Sequence, residues 1–432
     1  MQSATHFSKW VVKSKGGRDA PPLTPASDGW TTARGRILLA LRAHGPLTKK
    51  ELGRLCDLSR PTIDKALRPL LAAGLVRPDG YSPSTVGRRS VLYTFNERYK
   101  YVLGIDWEIP QLNLVLTDLR GEVLSCYSGL LPLEERGDPI ALLKFVADQI
   151  EAFLGEQRIS SRDLLGVGLG APAFLCRCGE RLSFYGETLP PWRDVPVKAV
   201  LEEHVGVPVL LGNDAHFMAL AESAHLETTE RVLVYLALRR GAYGDIRMGG
   251  AVLLHGEIFG GAHGNAVSLR DAYLQLRQAG AGEEPERSGA RDPLLGRGPR
   301  GGRRGDVRRL RRVLEDHLLV PMLHLITLFD PDRLVIQARM LREEEEAFVA
   351  SCARRLQDRL GDRFPFRVSR ARAGEWACAH GAALRVLQST FDAPEAALVQ
   401  RSSRNRNTAQ RLCTKGGESA LEPERSPSVG LG

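Results

Sequence analysis

The sequence predicts an α/β protein in which a small basic domain precedes a larger domain of alternating strands and helices. Residues 1–100 hold 18 Lys or Arg against 7 Asp or Glu, whereas the remaining residues hold 42 against 44. Apolar residues recur with a helical period in the first quarter, and later fall into short strand-like runs separated by helical stretches. The 432 residues suffice for two or three separately packed domains.

The composition is that of an ordinary globular protein, with 43% hydrophobic and 26% charged residues. Long apolar runs such as residues 232–238 are far shorter than a membrane span. The first residues also lack the continuous apolar segment of a secretory signal. The seven cysteines are odd in number and follow no paired spacing, and Cys176 and Cys178 form an isolated pair. We therefore expect a cytoplasmic protein without membrane contact, whose cysteines are structural or incidental.

The small basic domain is predicted over residues 31–98, after a flexible Gly-, Pro-, Ser- and Thr-rich arm of residues 1–30. A first helix begins near Thr31 or Thr32 and ends at the His44-Gly45-Pro46 segment. Thr48 and Glu51 then form a capping box that opens a short second helix.

A third helix follows the second after a turn of three or four residues, an arrangement typical of a helix-turn-helix. Ser59 is a suitable N-cap for it and Gly74 a suitable C-cap. Pro69 is predicted to kink this helix or weaken its last turn, because proline lacks the backbone N–H.

Strand-like residues 75–77 and 90–95 predict a hairpin behind the third helix, which is the wing of a winged helix-turn-helix. In such domains the start of the third helix contacts base edges in the major groove of double-stranded DNA. The predicted DNA-binding residues are Lys49, Lys50, Ser59, Arg60, Pro61, Thr62, Asp64, Lys65, Arg68, Arg88 and Arg89. A basic disordered tail, or a small domain that binds a protein, would explain the charge alone.

The larger domain opens with three neighbouring strands and continues as alternating helices and strands. Strands are predicted at residues 101–106, 112–117, 122–127, 164–169, 207–211, 232–238 and 250–254. Helices are predicted at residues 138–154, 192–204 and 213–224. This pattern favours mixed sheets covered by helices.

The order of short motifs in this domain resembles the ROK family, which includes sugar kinases and sugar-responsive repressors. The resemblance runs from about Thr32 to about Leu387, and its motifs are Gly87-Arg88-Arg89, the segments 101–106 and 167–172, 189–196 with 207–215, 255–266, 328–331 and 381–383. It implies a two-lobed, actin-like and hexokinase-like (RNase H-like) ROK domain over residues 99–390. Residues 391–432 match nothing in the family and are predicted to be a disordered tail.

The chain departs from the kinases of the family in the loops that hold nucleotide phosphates. Those kinases carry Asp-x-Gly-Gly-Thr in the first hairpin, where this chain has Asp106-Trp107-Glu108-Ile109-Pro110. Bulky side chains, a carboxylate and a residue without an N–H are unsuited to cradling phosphate. The second glycine-rich turn, residues 239–250, is interrupted by large and charged residues. We therefore expect no enzyme activity.

The resemblance places a sugar site near Asn213 and Asp214. In the family's kinases, the residue that matches Asn213 holds the sugar, and the residue that matches Asp214 is the general base for the sugar hydroxyl. The resemblance adds Gly170 and Ala171, together with Ser268 and Asp271 in place of the family's Glu and His. The alternative interpretation is that Asn213 and Asp214 only cap the following helix. The family's zinc ligands are missing, since Asp271 replaces the His and no cysteine occurs between Cys178 and Cys352. Neither a metal nor a cofactor is expected.

These features predict a DNA-binding transcription regulator, a repressor of carbohydrate-metabolism genes that responds to a sugar or related small molecule. It would bind a DNA operator as a homodimer or tetramer, because paired half-sites supply affinity and symmetry. Two alternatives stay open. In one, the ROK domain is only an oligomerisation scaffold; in the other, the chain is an active sugar kinase with an accessory DNA-binding module.

Overall fold

The computed structural model describes residues 32–83, 89–108, 110–132, 137–176, 180–183, 192–226, 230–240, 246–267, 269 and 304–392. The predicted N-terminal arm, residues 393–432 of the predicted tail, and the predicted site residues Arg88, Ser268 and Asp271 lie outside these ranges. The tail predicted to begin at residue 391 is wrong at its first two positions, because Phe391 and Asp392 end the last described helix and Phe391 is buried in the core.

The described helices are α1 (Ala33–His44), α2 (Lys49–Cys56), α3 (Arg60–Ala73), α4 (Pro139–Glu156), α5 (Val197–Val205), α6 (Asp214–Ser223), α7 (Arg304–Phe329), α8 (Glu345–Leu360) and α9 (Ala377–Asp392). The described strands are β1 (Leu47–Thr48), β2 (Val76–Tyr81), β3 (Val91–Phe95), β4 (Tyr101–Glu108), β5 (Gln111–Thr117), β6 (Val123–Leu130), β7 (Leu164–Ala171), β8 (Phe174–Leu175), β9 (Leu182–Ser183), β10 (Val209–Asn213), β11 (Val232–Arg240), β12 (Ile246–Leu254), β13 (Glu257–Ile258), β14 (Arg333–Gln337) and β15 (Arg367–Arg370).

The first domain is a winged helix, in which α1–α3 pack beside a small sheet with strand order β1-β3-β2. Its helix boundaries follow from local capping. The Thr48–Glu51 capping box is confirmed, since both reciprocal hydrogen bonds are present. Ser59 caps α3, and Gly74 ends it in the left-handed conformation with φ 79°. The helix continues through Pro69 to Ala73, so this proline does not end it.

The second domain contains two five-stranded sheets. The first has strand order β10-β7-β4-β5-β6, and the second has β13-β12-β11-β14-β15. Helices α6 and α9 pack on each other; α9 also contacts β4 and β7, while α6 contacts β11 and β12. This helix pair therefore joins the two sheets. Helices α4 and α5 cover the other face of the first sheet, and α7 and α8 pack on the second.

Glycines allow α9 to lie directly on the first sheet. A Cβ atom at Gly104 of β4 would lie 1.8 Å from the Ala379 carbonyl oxygen, and one at Gly168 of β7 would lie 2.2 Å from the Ala382 carbonyl oxygen. Such distances are far inside van der Waals contact, so only glycine permits this approach. The contact between α9 and the strands is consequently a contact between backbones.

The two domains share one apolar core, because side chains of α1, α3 and β3 belong to the same buried cluster as those of the last turns of α9. The Phe95 and Phe391 rings meet edge to face with centroids 6.1 Å apart. The buried Arg42 guanidinium lies over the Phe391 ring at 4.4 Å and donates from Nε to the Leu119 carbonyl at 3.0 Å. Arg120 Nη1 in turn donates a hydrogen bond of 2.7 Å to the Arg42 carbonyl. We call this contact the domain junction.

Several element boundaries differ from those predicted. The helix predicted at residues 192–204 begins only at Val197, because Val195 bridges to Leu182 as extended chain and Pro196 occupies the N-cap. The strand predicted at residues 250–254 begins at Ile246, since β12 pairs with β11 along its whole length. Among the described helices, none is long and apolar enough to cross a membrane.

Candidate DNA-binding surface and interlobe cleft

The start of α3 forms a cationic surface on the winged helix. Ile63, Ala66, Leu67 and Leu70 are buried in the domain core, which turns the opposite side of the helix outward. Arg60, Lys65 and Arg68 are exposed there, and Pro61 and Ser59 are exposed at the helix start. Guanidinium and ammonium groups at such a site can bind phosphates or guanine edges.

Asp64 makes this surface less uniformly positive than its sequence indicates. Its carboxylate accepts a 2.6 Å hydrogen bond from Lys49 Nζ of α2, and its other oxygen lies 3.7 Å from Arg60 Nε. The Lys49 ammonium also lies 5.6 Å from the centre of the Tyr93 ring on β3. Asp64 therefore connects the second helix to the third and holds Lys49 beside the wing.

The remaining predicted contacts surround this helix start. The Ser59 and Thr62 hydroxyls lie 2.7 Å apart, so each partly satisfies the other. Lys50 on α2 and Arg89 at the end of the wing are exposed. All the predicted DNA-binding residues except Arg88 thus lie in described parts of the winged helix.

A cluster of charges lies between the two sheets of the second domain, in the space that we call the interlobe cleft. Arg239 of β11 donates from Nη1 to Asp214 Oδ2 and from Nη2 to Asp106 Oδ2, both at 3.2 Å. Nη2 also contacts the Glu108 carboxylate. Arg247 Nη1 of β12 lies 3.7 Å from Glu108 Oε1. Three carboxylates therefore surround one guanidinium, with a second guanidinium beside it.

Burial and crowding alter the acidity of these groups. Burial, and then the neighbouring carboxylates, raise the pKa of Glu108 to about 7, although Arg239 and Arg247 oppose the shift. Burial also raises the pKa of Asp214. The Arg239 guanidinium keeps its charge, because the three carboxylates raise its pKa more than burial lowers it. The cluster therefore binds a proton more readily than separate carboxylates would.

We expect Glu108→Gln to flatten the pH dependence of the free energy of unfolding between about pH 4.5 and 7. The pKa of Glu108 is higher in the folded chain, so its protonation contributes stability fully below about pH 4.5. That contribution is lost as the pH rises through about 7. The change amounts to about 1–3 kcal/mol. Urea unfolding at a series of pH values measures it, with Glu151→Gln on an exposed face of α4 as the control. An unchanged slope in Glu108→Gln would show that Glu108 is ionised throughout.

The predicted sugar-site residues lie next to this cluster, but most of their polar groups are already engaged in contacts that stabilise the fold. Asn213 caps α6, since its side-chain oxygen accepts a 3.0 Å hydrogen bond from the Ala215 N–H. Asp214 caps the same N–H through one oxygen and binds Arg239 through the other. Ala171 lies opposite Asn213 in the β7–β10 pairing. A Cβ atom at Gly170 would lie 2.5 Å from Cys378 Sγ, so this glycine faces a filled space.

A cavity of about 550 Å³ opens beside Asn213, along the outer edge of β10. Residues of β7, β10 and α9 form much of its wall, most of those from β7 and β10 being apolar, and Lys198, Arg385 and His216 add polar groups. His216 Nε2 lies 3.0 Å from the Ala266 carbonyl, and burial lowers the pKa of this histidine. The volume is that of a small-molecule site. Among the described residues, no group of three His, Cys, Asp or Glu side chains could hold a metal ion.

The sequence interpretation missed three residues that the structure brings to these sites. In the sequence, Arg239 and Arg247 stand out only as interruptions of a glycine-rich turn, and Arg42 belongs to no motif. The approach of Arg239 to Asp106 joins positions 133 residues apart. A local pattern cannot reveal such a pairing; the one available signal was the excess of arginine in that turn.

Comparison with known proteins agrees with this architecture. The sequence profile of the ROK family matches residues 102–272, and that of the MarR family matches residues 28–88. The xylose repressor of Caldicellulosiruptor bescii is 26% identical over 56% of this chain and 58% of its own length. A glucokinase of Halalkalibacterium halodurans is 26% identical over 39% of this chain and 49% of its own length. The chain therefore spans about half the length of the curated relatives it matches.

A solved structure covers more of the chain. The crystal structure of a ROK family transcriptional regulator, a homologue of the Escherichia coli MLC protein, covers 85% of this chain and 98% of its own, with a TM-score of 0.58 and 19% identity. At this identity the likeness concerns the fold. The chain thus carries a ROK family domain behind a winged helix-turn-helix of the MarR type.

Proposed function

We propose that this chain is a DNA-binding transcriptional repressor of sugar-metabolism genes, and that its ROK domain binds a sugar or related small molecule without phosphorylating it. The observation that carries the proposal is the exposed cationic start of α3 on a winged helix built into the ROK domain. Relatives that bear the name xylose repressor support the connection with sugar metabolism.

The interlobe cleft supports the loss of kinase chemistry. Phosphoryl transfer requires room for a phosphate chain and its metal ion beside the general base. Here the Arg239 guanidinium lies against Asp214, which is the general base that the family resemblance implies. Asp106 and Glu108, at the hairpin where kinases cradle phosphate, contact the same guanidinium. The base is thus engaged by a side chain of the protein itself.

The alternative in which the ROK domain is only an oligomerisation scaffold is favoured by one observation. The Asn213 side-chain oxygen, the implied sugar ligand, already accepts the Ala215 N–H as a helix cap. A repressor of this kind would release DNA in response to something other than a sugar. The cavity beside β10 favours ligand binding, since it offers polar groups within a largely apolar wall.

The test is selection of DNA by the purified full chain. Sheared genomic DNA from the source organism is incubated with the protein, and the retained fragments are sequenced with and without a mixture of D-xylose, D-glucose and other sugars. Enrichment of a few inverted repeats is expected, because a symmetric dimer reads two half-sites. Loss of enrichment with sugar supports the sensor, and enrichment that sugar leaves unchanged supports the scaffold. No enrichment under either condition would contradict DNA binding.

A further inference from the structure

The cavity beside β10 lies at an edge of the first sheet, where helices from both faces of that sheet reach it. Strand β10 ends the sheet, so alternate backbone N–H and C=O groups of residues 209–213 face away from β7. Lys198 enters the wall from α5 and Arg385 from α9, and these two helices cover opposite faces of the sheet. The cavity therefore combines backbone hydrogen-bonding groups with two cations that come from different helices.

The wall of the cavity contains cations without acidic residues. Among the described residues that line it, none is Asp or Glu. The acidic partners of the two cations lie outside the wall, with Lys198 Nζ 3.6 Å from Glu180 Oε1 and Arg385 Nη1 3.8 Å from Glu257 Oε2. Both carboxylates are more than half exposed and both distances exceed those of a charge-assisted hydrogen bond. The two pairs are consequently weak, and a bound anion can replace them.

The same cavity adjoins the core that attaches the winged helix. Its wall includes Leu165 of β7 and Val386 of α9, and both belong to the buried cluster that also contains side chains of α1, α3 and β3. Phe391, the residue of α9 at the domain junction, follows Arg385 by six residues, which is about 9 Å along a helix. A molecule bound to Arg385 thus contacts the segment of α9 that ends at the junction.

We propose that this cavity is an effector site for a small hydroxyl-rich anion, the chemistry shared by sugar acids and sugar phosphates, and that its occupation changes DNA binding through the end of α9. Lys198 and Arg385 bind the anionic group. The hydroxyl oxygens of Ser389 and Thr390 accept from hydroxyls of the ligand, since their own protons are donated to the Val386 carbonyl. The effect on DNA rests on the proposed function, whereas the binding of the anion does not.

Calorimetric titration of the full-length chain tests the site without DNA. The probes are D-xylonate, D-gluconate and D-glucose 6-phosphate, with D-xylose, D-glucose and inorganic phosphate as references. We expect at least one of the three probes to bind about tenfold or more tightly than its neutral sugar and than inorganic phosphate. Preference for the sugar acids supports a carboxylate ligand, and preference for the sugar phosphate supports a phosphate ligand. Equal or tighter binding of the neutral sugars, or no binding of any probe at millimolar concentration, would overturn the proposal.

Substitutions locate the bound anion. Lys198→Ala and Arg385→Ala should each weaken its binding about tenfold, because each removes one charge-assisted contact. The matched controls are Lys144→Ala and Arg354→Ala, which remove exposed cations of α4 and α8 that do not line the cavity and should leave the binding unchanged. Unfolding temperatures near that of the wild type show that the variants fold. An equal loss of binding in the controls would place the anion elsewhere and overturn the site.

The coupling to DNA is measured with a DNA site selected by the full chain. The anion that binds should change the affinity for this site about fivefold or more, and Arg385→Ala should remove that response at a concentration that saturates the wild type. A bound anion that leaves the DNA affinity unchanged would overturn the coupling. Release of DNA by D-xylose or D-glucose, with no anion bound, would overturn this site yet uphold the proposed function. Failure to select any DNA would contradict the proposed function and with it the coupling, while the titration still decides whether the cavity binds an anion.

Discussion

Replacement of both Lys65 and Arg68 by alanine should weaken binding to a selected DNA site about 100-fold at moderate salt concentration. Both side chains are exposed on α3, whose start faces the major groove in a winged helix. Each phosphate contact that is lost also removes about one released counterion, so the slope of log affinity against log salt should fall by about two. Fluorescence anisotropy with labelled DNA across a salt series measures both quantities.

The control for this prediction removes two positive charges from a surface outside the winged helix. Arg309 and Arg312 are exposed on α7 of the ROK domain, and their double replacement by alanine should leave both the affinity and the salt slope nearly unchanged. An equal loss in the two double variants would mean that net charge, and not the surface of α3, determines binding. Normal binding by Lys65→Ala/Arg68→Ala would place the DNA interface elsewhere on the chain.

Gly381→Ala should destabilise the fold by about 3 kcal/mol or more, although alanine is the better helix former by about 1 kcal/mol. A Cβ atom at this position of α9 would lie 1.7 Å from the Phe217 carbonyl oxygen of α6. The two helices would have to separate, and with them the sheets that they join. The steric cost therefore exceeds the gain in helix propensity.

Gly155→Ala supplies the control, since Gly155 lies near the end of α4 with no atom within 4 Å of an added Cβ. It gains the same propensity without the clash, so its free energy of unfolding should stay level or rise by up to about 1 kcal/mol. Urea unfolding of both variants measures the difference. Equal stability of Gly381→Ala and wild type would show that α6 and α9 do not approach so closely in solution.

Local chemistry explains which features the sequence could predict. The capping box of Thr48 and Glu51, the N-cap Ser59 and the C-cap Gly74 act within one helical turn, and all are present in the structure. The same locality explains the error at residues 192–204, where a helical pattern could not show that Val195 pairs with a strand residue thirteen positions earlier.

Long-range chemistry explains what the sequence could not predict. The sequence predicts that Glu108 is a charge unsuited to cradling phosphate, yet in the structure it is buried against Arg239, more than a hundred residues away. Arg42 carries no motif, and its partners are the carbonyl of Leu119 and the ring of Phe391. Each of these roles depends on which elements the fold places side by side. In the sequence, the one sign of these buried contacts is that both arginines stand in or beside apolar segments.

The domain junction has a geometric consequence for any assembly on DNA. Helix α3 and the rest of the winged helix are not joined to the ROK domain by a flexible linker alone, because Phe95 and Arg42 pack against Phe391 within one core. In a symmetric pair of chains, the distance and angle between the two winged helices would thus be set by the interface between the ROK domains. One extra base pair between half-sites adds about 3.4 Å and turns the second site by about 35° around the DNA axis. The spacing of the operator would then be determined far from the surface that reads it.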